Sequence, residues 1–412
     1  MKDRLLFLEG ASLTSRETLT VLLADNYKVD VLSPDRFSIA AFSRLTHMLT
    51  TVDVNRSPLT YLKQLDQLLE EKDYKAILPT HEEGWLLANG KSLLSSDLLL
   101  ALSESETFRE VVGKIAFAEL ADKLGLPVPK WEYVNDLESI HLPYPYWLKA
   151  DYGTAGRSVY KITSDADLKS LVKLHLLDSE SWMAQQDMVG QYGQVQAVFN
   201  CGKLLAVHSS IKVGSGAGGS AAARLSIDSE VTREHIEKLG HHLKWHGGLT
   251  LDFIFLNHHF YYIECNPRMV EPANAYKAGV NFPKLLIELA QNNDSQPDIS
   301  VGKPGVRTHS LLALIIGTAE KTQSRRKIWE TIRLWLFKSD SDEVLTPIRK
   351  DFPSIIPLVV IAIRLLLNPK SVKKLVEHTV GHYSVAPATI KAVEQQASMK
   401  TIVNGINNFT LK

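Results

Sequence analysis

Short apolar runs and helical periodicities alternate over the first hundred residues of the chain. Leu5–Leu8 is an apolar run that stops at Gly10, and Val29–Leu32 is a second that ends at Ser33-Pro34. A third, Ala76–Leu78, ends at Pro79. Between them Ser15 to Leu23 reads as helix, and Tyr61 to Glu71 places leucines at 62, 65, 68 and 69 on helical spacing. Runs that are apolar throughout suit strands buried on both faces, so the pattern predicts a βαβ unit with a parallel sheet. Ligands of such sheets sit beyond the carboxyl ends of the strands. Thr80, His81, Glu82 and Glu83 fall there. The same residues also read as a helix start, with Thr80 as N-cap and two glutamates favourable to the dipole.

Beyond residue 100 the pattern changes twice. Phe108 to Leu124 predicts one helix, with Lys114 in its first half and a stop at Gly125 and Pro127. Strand signals then dominate. Tyr146–Ala150, the run VYKI, Trp182–Gln186, Gln194–Asn200 and LLAVHSS are predicted strands, and a Gly/Ser/Ala-rich loop over 213–224 ends in Arg224. After a helical stretch from Val231 to Lys244, Leu251 to Arg268 reads as a hairpin, LDFIF and FYYIE about a polar LNHH. From about residue 307 helices take over: Leu311–Ile316, Arg326–Phe337, Ile355–Leu367 and Val372–Val380. Lys and Arg outnumber Asp and Glu there by 13 to 7 between 307 and 380. A packed helical subdomain is the plainest reading of this region; a lid, a dimer interface or a membrane surface are its alternatives.

Composition narrows the class. A chain of 412 residues has room for two or three domains. Its 46 basic and 46 acidic residues cancel, which gives no support to nucleic-acid binding. Two cysteines exclude a disulfide scaffold and a four-cysteine zinc site, and Cys265 reads as a small core residue. The N-terminal apolar run is broken by Glu9, so it reads as a first strand and not a signal peptide. Ile355–Leu367 is too short to span a bilayer and holds Pro357 and Arg364. The expected location is the cytoplasm, with no transmembrane segment. The loop EGASLTS lacks GxGxxG, which disfavours a nicotinamide enzyme.

The hairpin carries the first chemistry. Asp252 lies on its first strand, and Glu264 and Asn266 lie two apart at the end of the second, leaving by the same face. Two carboxylates and an amide oxygen make a hard oxygen set, suited to Mg²⁺ (with Mn²⁺ as a substitute) and not to zinc. Arg268 adds a fork suited to phosphate. An ordinary hairpin with a charged mouth is the competing reading. Lys149, at a strand end before Gly153 and Gly156, is a candidate phosphate clamp, against a plain glycine hairpin. Neither a Walker loop nor a kinase HRD or DFG element is present.

Taken in order, these motifs resemble the ATP-grasp superfamily. The resembling pieces are Lys114 before Gly125-Leu126-Pro127-Val128-Pro129, Lys149 with a flap over 151–158, and Gln185-Gln186-Asp187-Met188-Val189-Gly190. Asp252-Phe253 and Glu264-Cys265-Asn266-Pro267-Arg268 close the series and are its most specific part. The resemblance covers residues 1 to about 300. It implies a mixed α/β and α+β fold. A βαβ pre-ATP-grasp domain would span 1–105 and a two-lobed ATP-grasp domain 106–300, followed by a helical C-terminal domain over 301–412. It further implies ATP between the lobes. Lys114, Lys149 and the flap residues Gly153, Thr154, Ala155 and Gly156 would hold the phosphates, and Gln185, Gln186, Asp187 and Met188 the adenine and ribose. Asp252, Glu264 and Asn266 would hold Mg²⁺, with Arg268 at the γ-phosphate or an acyl phosphate. Three positions depart from the pattern: Ala150 for a proline, Ala155 for a glycine, and Gln186 for the carboxylate that often holds the ribose.

The implied reaction is ADP-forming ligation of a small-molecule carboxylate to an amine through an acyl phosphate. Arg224 is the candidate for the substrate carboxylate or acyl phosphate, against a solvent arginine capping a loop. His81, Glu82 and Glu83 would meet the amine, and Glu271-Pro272-Ala273-Asn274 would shape the acceptor site. His208 and His309 read as structural histidines. Association into a homo-oligomer would run through the C-terminal helices. Two alternatives stay open: a bicarbonate-activating enzyme like carbamoyl-phosphate synthase or biotin carboxylase, and a non-catalytic ATP-binding scaffold.

Overall fold

The computed structural model describes residues 2–25, 27–134, 140–153, 158–173, 181–292, 298–337, 340–383 and 385–410; at 172–173, 378–383 and 401–410 the backbone alone is described. The N-terminal unit holds β1 (Arg4–Phe7), α1 (Leu13–Leu22), β2 (Lys28–Ser33), β3 (Thr46–Thr51), α2 (Pro58–Glu71), β4 (Ala76–Leu78) and α3 (Glu83–Gly90). Its four strands are parallel in the order β3-β2-β1-β4. Leu5, Leu6 and Phe7 are all fully buried, because helices cover both faces, which is why the run does not alternate. The loop after β1 closes on itself. The Glu9 carboxylate accepts the backbone N–H groups of Ala11 and Ser12 and the Ser15 hydroxyl. The helix start that a dinucleotide phosphate would use is thus filled by the chain's own side chain.

Thr80 is not the cap of α3. Its hydroxyl donates to the Glu9 carbonyl and bonds Ser15, and the helix begins three residues later behind Glu82. Glu83 is buried and its carboxylate accepts the His81 N–H. Burial and the nearby Glu9 push its pKa well above the usual range, so it is held toward the neutral form instead of serving as a dipole anion.

The predicted helix Phe108–Leu124 is two helices, α4 (Ser105–Arg109) and α5 (Lys114–Leu124). Gly113 is extended at the break and acts as N-cap, and the Asp151 carboxylate accepts the Ile115 N–H. Lys114 is therefore the first residue of α5. A small antiparallel sheet follows, made of β5 (Trp131–Val134), β6 (Tyr146–Ala150), β7 (Val159–Ile162) and β8 (Trp182–Gln186) in the order β5-β8-β6-β7, with α6 (Asp165–Lys173) beside it.

The largest layer is a central sheet built on β9 (Gln191–Asn200), β10 (Lys203–Ser215), β11 (Ala221–Ile227), β12 (Gly247–Leu256) and β13 (His259–Asn266). Its order is β13-β12-β9-β10-β11, all antiparallel. The predicted loop over 213–224 is mostly strand: β10 runs to Ser215 and β11 starts at Ala221. Helices α7 (Glu230–His242), α8 (Ala273–Lys277) and α9 (Phe282–Ala290) flank the sheet. Three short strands, β14 (Ser300–Val301), β15 (Arg307–His309) and β16 (Asp342–Glu343), add to the same sheet. The remaining helices are α10 (Leu311–Thr322), α11 (Arg325–Phe337), α12 (Ile355–Leu367), α13 (Val372–Tyr383) and α14 (Pro387–Thr410). No helix was expected at α14. It folds back onto the N-terminal unit, where Val393 is fully buried against Leu62 and Gly90. No helix among the described residues is long and apolar enough to cross a membrane.

Candidate functional site

The hairpin β12–β13 turns on two residues, Asn257 and His258, both with positive φ. This is the tight turn whose twist matches a hairpin, shorter than the four-residue LNHH read from sequence. It sets Asp252 directly opposite Glu264, and Thr250 opposite Asn266. Residues opposed across strands share a face, so the register extends the row. Asp252 also faces Gln194 on β9, Gln194 faces Ser210 on β10, and Ser210 faces Ser226 on β11. One step along, Thr250 faces Gln196 and Gln196 faces His208. One face of the central sheet is therefore polar across five strands. The other face carries Leu249, Leu251, Phe253, Val195, Ala197 and Phe199, all fully buried in the main core.

That polar face is buried and incompletely paired. Both amide atoms of Gln194, the Gln196 carbonyl, the Ser210 hydroxyl and Arg224 Nη1 have no hydrogen-bond partner among the described residues. Buried polar groups in native proteins are nearly always paired, so a cluster of orphans on one face calls for a polar ligand.

Charges gather around the row. Burial and the Glu264 carboxylate push the Asp252 pKa up to about 7, and the Tyr192 hydroxyl hydrogen-bonds Asp252. Asn266 lies beside them, its amide 3.4 Å from Asp252 Oδ2. At that length the bond is weak, and a half-turn of the amide presents its oxygen instead. Lys149, at the end of β6, donates to Gln185 Oε1 at 2.6 Å. Burial pulls its pKa down to about 8, Glu264 and Asp252 draw it up, and Lys114 pushes it down. The two lysines and two carboxylates thus lie in one electrostatic field. Lys114 Nζ donates to the Gly153 carbonyl at 3.0 Å. Arg268 donates to Asn266 Oδ1 at 3.4 Å and to the Met269 carbonyl at 3.3 Å, and meets His81 Nε2 at 3.1 Å. Burial and Arg268 hold the His81 pKa well below its usual value, so a neutral ring accepts that bond.

An open cleft of about 560 Å³ runs past these groups. His81 and Glu82 line it from the N-terminal unit, Tyr152 and Gly153 from the flap, Glu264, Asn266 and Arg268 from the hairpin, and Val385 from the C-terminal segment. Glu82 is engaged there: its carboxylate accepts the Val385 N–H at 2.7 Å.

Other expected residues lie apart. Arg224 sits on a strand, not at a loop end exposed to solvent. It is buried, donates to Glu271 Oε2 at 2.8 Å, and lines a separate narrow crevice with Glu17, Asn274 and Thr308. Its charge still reaches Asp252 and Tyr192. Asp187 is taken by Trp147 Nε1 at 2.7 Å and Lys161 Nζ at 2.6 Å. Gln186, the last residue of β8, donates its backbone N–H to the Lys130 carbonyl, and it and Met188 are half-buried. Thr154, Ala155 and Gly156 lie outside the described residues. His208 bonds Asn274 and His309 bonds Ser341, and burial lowers the pKa of both. Cys265 is buried with a raised pKa. Tyr192, Gln194, Gln196 and Ser210 were not picked out from sequence, although the alternation in YGQVQAV carries the signal.

The donor set can be tested for a cation. Among the described residues no group of three or more His, Cys, Asp and Glu is placed to hold a metal ion. The candidate set is instead two carboxylates and an amide, a composition that suits Mg²⁺ when phosphate and water oxygens complete the shell. A cation between Asp252 and Glu264 would relieve the repulsion that raises the Asp252 pKa. The residues fit.

No protein-family model matches the sequence. The structure does resemble solved ones. Biotin carboxylase from Campylobacter jejuni, crystallised in a β,γ-ATP complex, superposes with a TM-score of 0.59 at 16% identity, covering 74% of each chain. N5-carboxyaminoimidazole synthetase from Staphylococcus aureus, complexed with ADP, gives 0.58 at 14% identity over 78% of this chain and 87% of that one. L-amino acid ligase from Bacillus licheniformis gives 0.56 at 14% identity over 74% and 79%.

Proposed function

We propose that this chain, whose fold is that of the ATP-grasp enzymes, is an ADP-forming ligase that joins a small-molecule carboxylate to an amine. The observation that carries the reading is the polar face of the central sheet. It places Asp252 opposite Glu264 with Lys149, Lys114 and Arg268 about them, and leaves buried amide, hydroxyl and guanidinium groups waiting for a partner. Phosphoryl transfer needs charge neutralisation and in-line positioning more than a protein nucleophile, and this site offers the former in quantity.

Lys149 and Lys114 would bind the ATP phosphates, with Gly153 following Lys114 into the flap. Asp252, Glu264 and Asn266 would hold Mg²⁺, which when bound neutralises charge on the terminal phosphates. The substrate carboxylate attacks the γ-phosphate; the γ-phosphorus bond to the bridging oxygen breaks, giving an acyl phosphate and ADP. Arg268, already fixed by Asn266 and His81, steadies the phosphate in flight. The amine then attacks the acyl carbon, and phosphate leaves with the bonding pair. The amine's proton would pass to water in the open cleft, because the neutral His81 ring already accepts from Arg268 and burial holds its pKa low.

The test is ADP release across panels of carboxylic acids and amines, with product mass. Glu264→Ala and Asn266→Ala should each lower turnover by at least a hundredfold at unchanged melting temperature. Lys149→Ala should weaken ATP binding by calorimetry more than tenfold. Folded variants with normal turnover would sink the assignment.

A further inference from the structure

The outer face of the C-terminal helices has no use in the ligase reading. On α12, Ile356, Val359, Val360, Ile363 and Leu367 are exposed, and they recur at the three- and four-residue spacing of one helical stripe. The opposite side of the helix carries the buried Leu358 and Leu365, packed with α10. The neighbouring α11 repeats the arrangement. Ile328 is buried inward, while Trp329, Leu336 and Phe337 point out, Phe337 being 79% exposed. Arg325, at the start of α11, donates to the Leu367 carbonyl at the end of α12, so these two helix ends meet. Phe352, 68% exposed, extends the patch before α12.

The charge around this patch leans basic: 325–374 holds eleven Lys or Arg against five acidic residues. Over 325–337 and 355–374 the sequence holds eight Lys or Arg and one acidic residue, Glu330, although the whole chain is neutral. All eight are exposed, and Glu330 is already bridged by Arg326 and Lys327. An apolar stripe with aromatic anchors, edged by exposed basic residues, is the composition of a helix that lies in a lipid–water interface. The thirteen residues of α12 are about 20 Å long, too short to span the hydrocarbon layer and suited to lying along it.

We propose that α11 and α12 form a docking surface for an anionic phospholipid bilayer, with the apolar stripes in the acyl boundary and the basic residues on the headgroups. A second copy of the chain fits less well, since apposing two such faces would bring like charges together. The reading is independent of the ligase reaction and can fail without it.

The experiment is flotation of the full chain with vesicles of phosphatidylcholine alone and of phosphatidylcholine with one quarter phosphatidylglycerol. Binding should rise at least tenfold with the anionic lipid and fall at least fivefold in 0.5 M salt. The double variant Val360→Ser/Ile363→Ser and the charge variant Arg333→Glu/Arg364→Glu should each reduce it at least tenfold. ATP-binding affinity should stay at the parent value in both. Equal recovery with and without the anionic lipid, or no recovery with either, would overturn the proposal. So would a dimer by light scattering that the serine variant converts to monomer.

Discussion

Gln194 sets stability against binding within one side chain. Its two amide atoms are buried without partners, and each such group costs about 1–3 kcal/mol. Leucine has nearly the same volume and no polar atoms. Gln194→Leu is therefore expected to raise the urea midpoint by the equivalent of about 1–3 kcal/mol and to weaken binding of ATP or of the carboxylate several-fold. A gain in stability with unchanged affinity for both would remove Gln194 from the site. Glu17 gives a second residue-level test, at the Arg224 crevice. Burial first, and then Glu271, push its pKa up to about 8. A carboxyl whose folded pKa lies above its unfolded value near 4.5 contributes stability that is full below about 4.5 and is lost as pH rises through 8. Glu17→Gln keeps an acceptor for the Ala273 N–H and cannot ionise. The variant should match the parent near pH 4 and melt higher at pH 9, by a few kcal/mol. Parallel melting curves across that range would refute the assignment.

At the scale of elements, the placement of Lys114 depends on how α5 begins. A Cβ at Gly113 would come within 2.7 Å of Asp151 Oδ1, the carboxylate that caps the helix at Ile115. Gly113→Ala should displace that cap, cost about 1 kcal/mol in stability, and lower ATP affinity by loosening Lys114. A calorimetric affinity equal to the parent's would separate the cap from the site. The hairpin offers the opposite sign. His258 holds φ of +65° at the turn, which costs an L-residue about 1 kcal/mol. His258→Gly should raise the melting temperature by a few degrees and leave turnover unchanged. Elements such as these also show where the sequence was readable. The parallel strands, the hairpin and the Asp252–Glu264 pairing follow from local apolar runs and spacing. The break at Gly113 does not, because it depends on Asp151, a residue 38 positions away. Strand β3, THMLTT, was missed because it is partly exposed and neither apolar throughout nor alternating. The row from Glu264 to Ser226 was out of reach because it joins five strands whose register only the folded sheet sets.

For the whole molecule, the decisive feature is that the end of the chain closes on its beginning. Helix α14 has little amphipathic pattern, which is why no helix was expected there, yet its first residue, Pro387, lines the cleft beside Val385. Its approach is pinned at several points: Val385 to Glu82, Ala386 and Thr389 to Asn55, and Glu394 to Arg109. The apolar anchor is Val393, fully buried against Leu62. The polar pins at Glu394 and Asn55 are partly solvent-exposed and worth little singly, so the anchor should dominate. An unpaired carboxylate at that position has no compensating partner and would drive the segment off its seat. Val393→Asp is thus expected to expose the 385–400 region to limited proteolysis, which the parent should resist. It should also release Glu82 into the cleft and open the pocket on the side where Val385 now stands. If the segment shapes the substrate end, KM for the amine should rise several-fold while ATP affinity, which we assign to Lys149 and Lys114, stays within twofold. Equal losses for both ligands would mean that α14 supports the fold as a whole and not one end of the site.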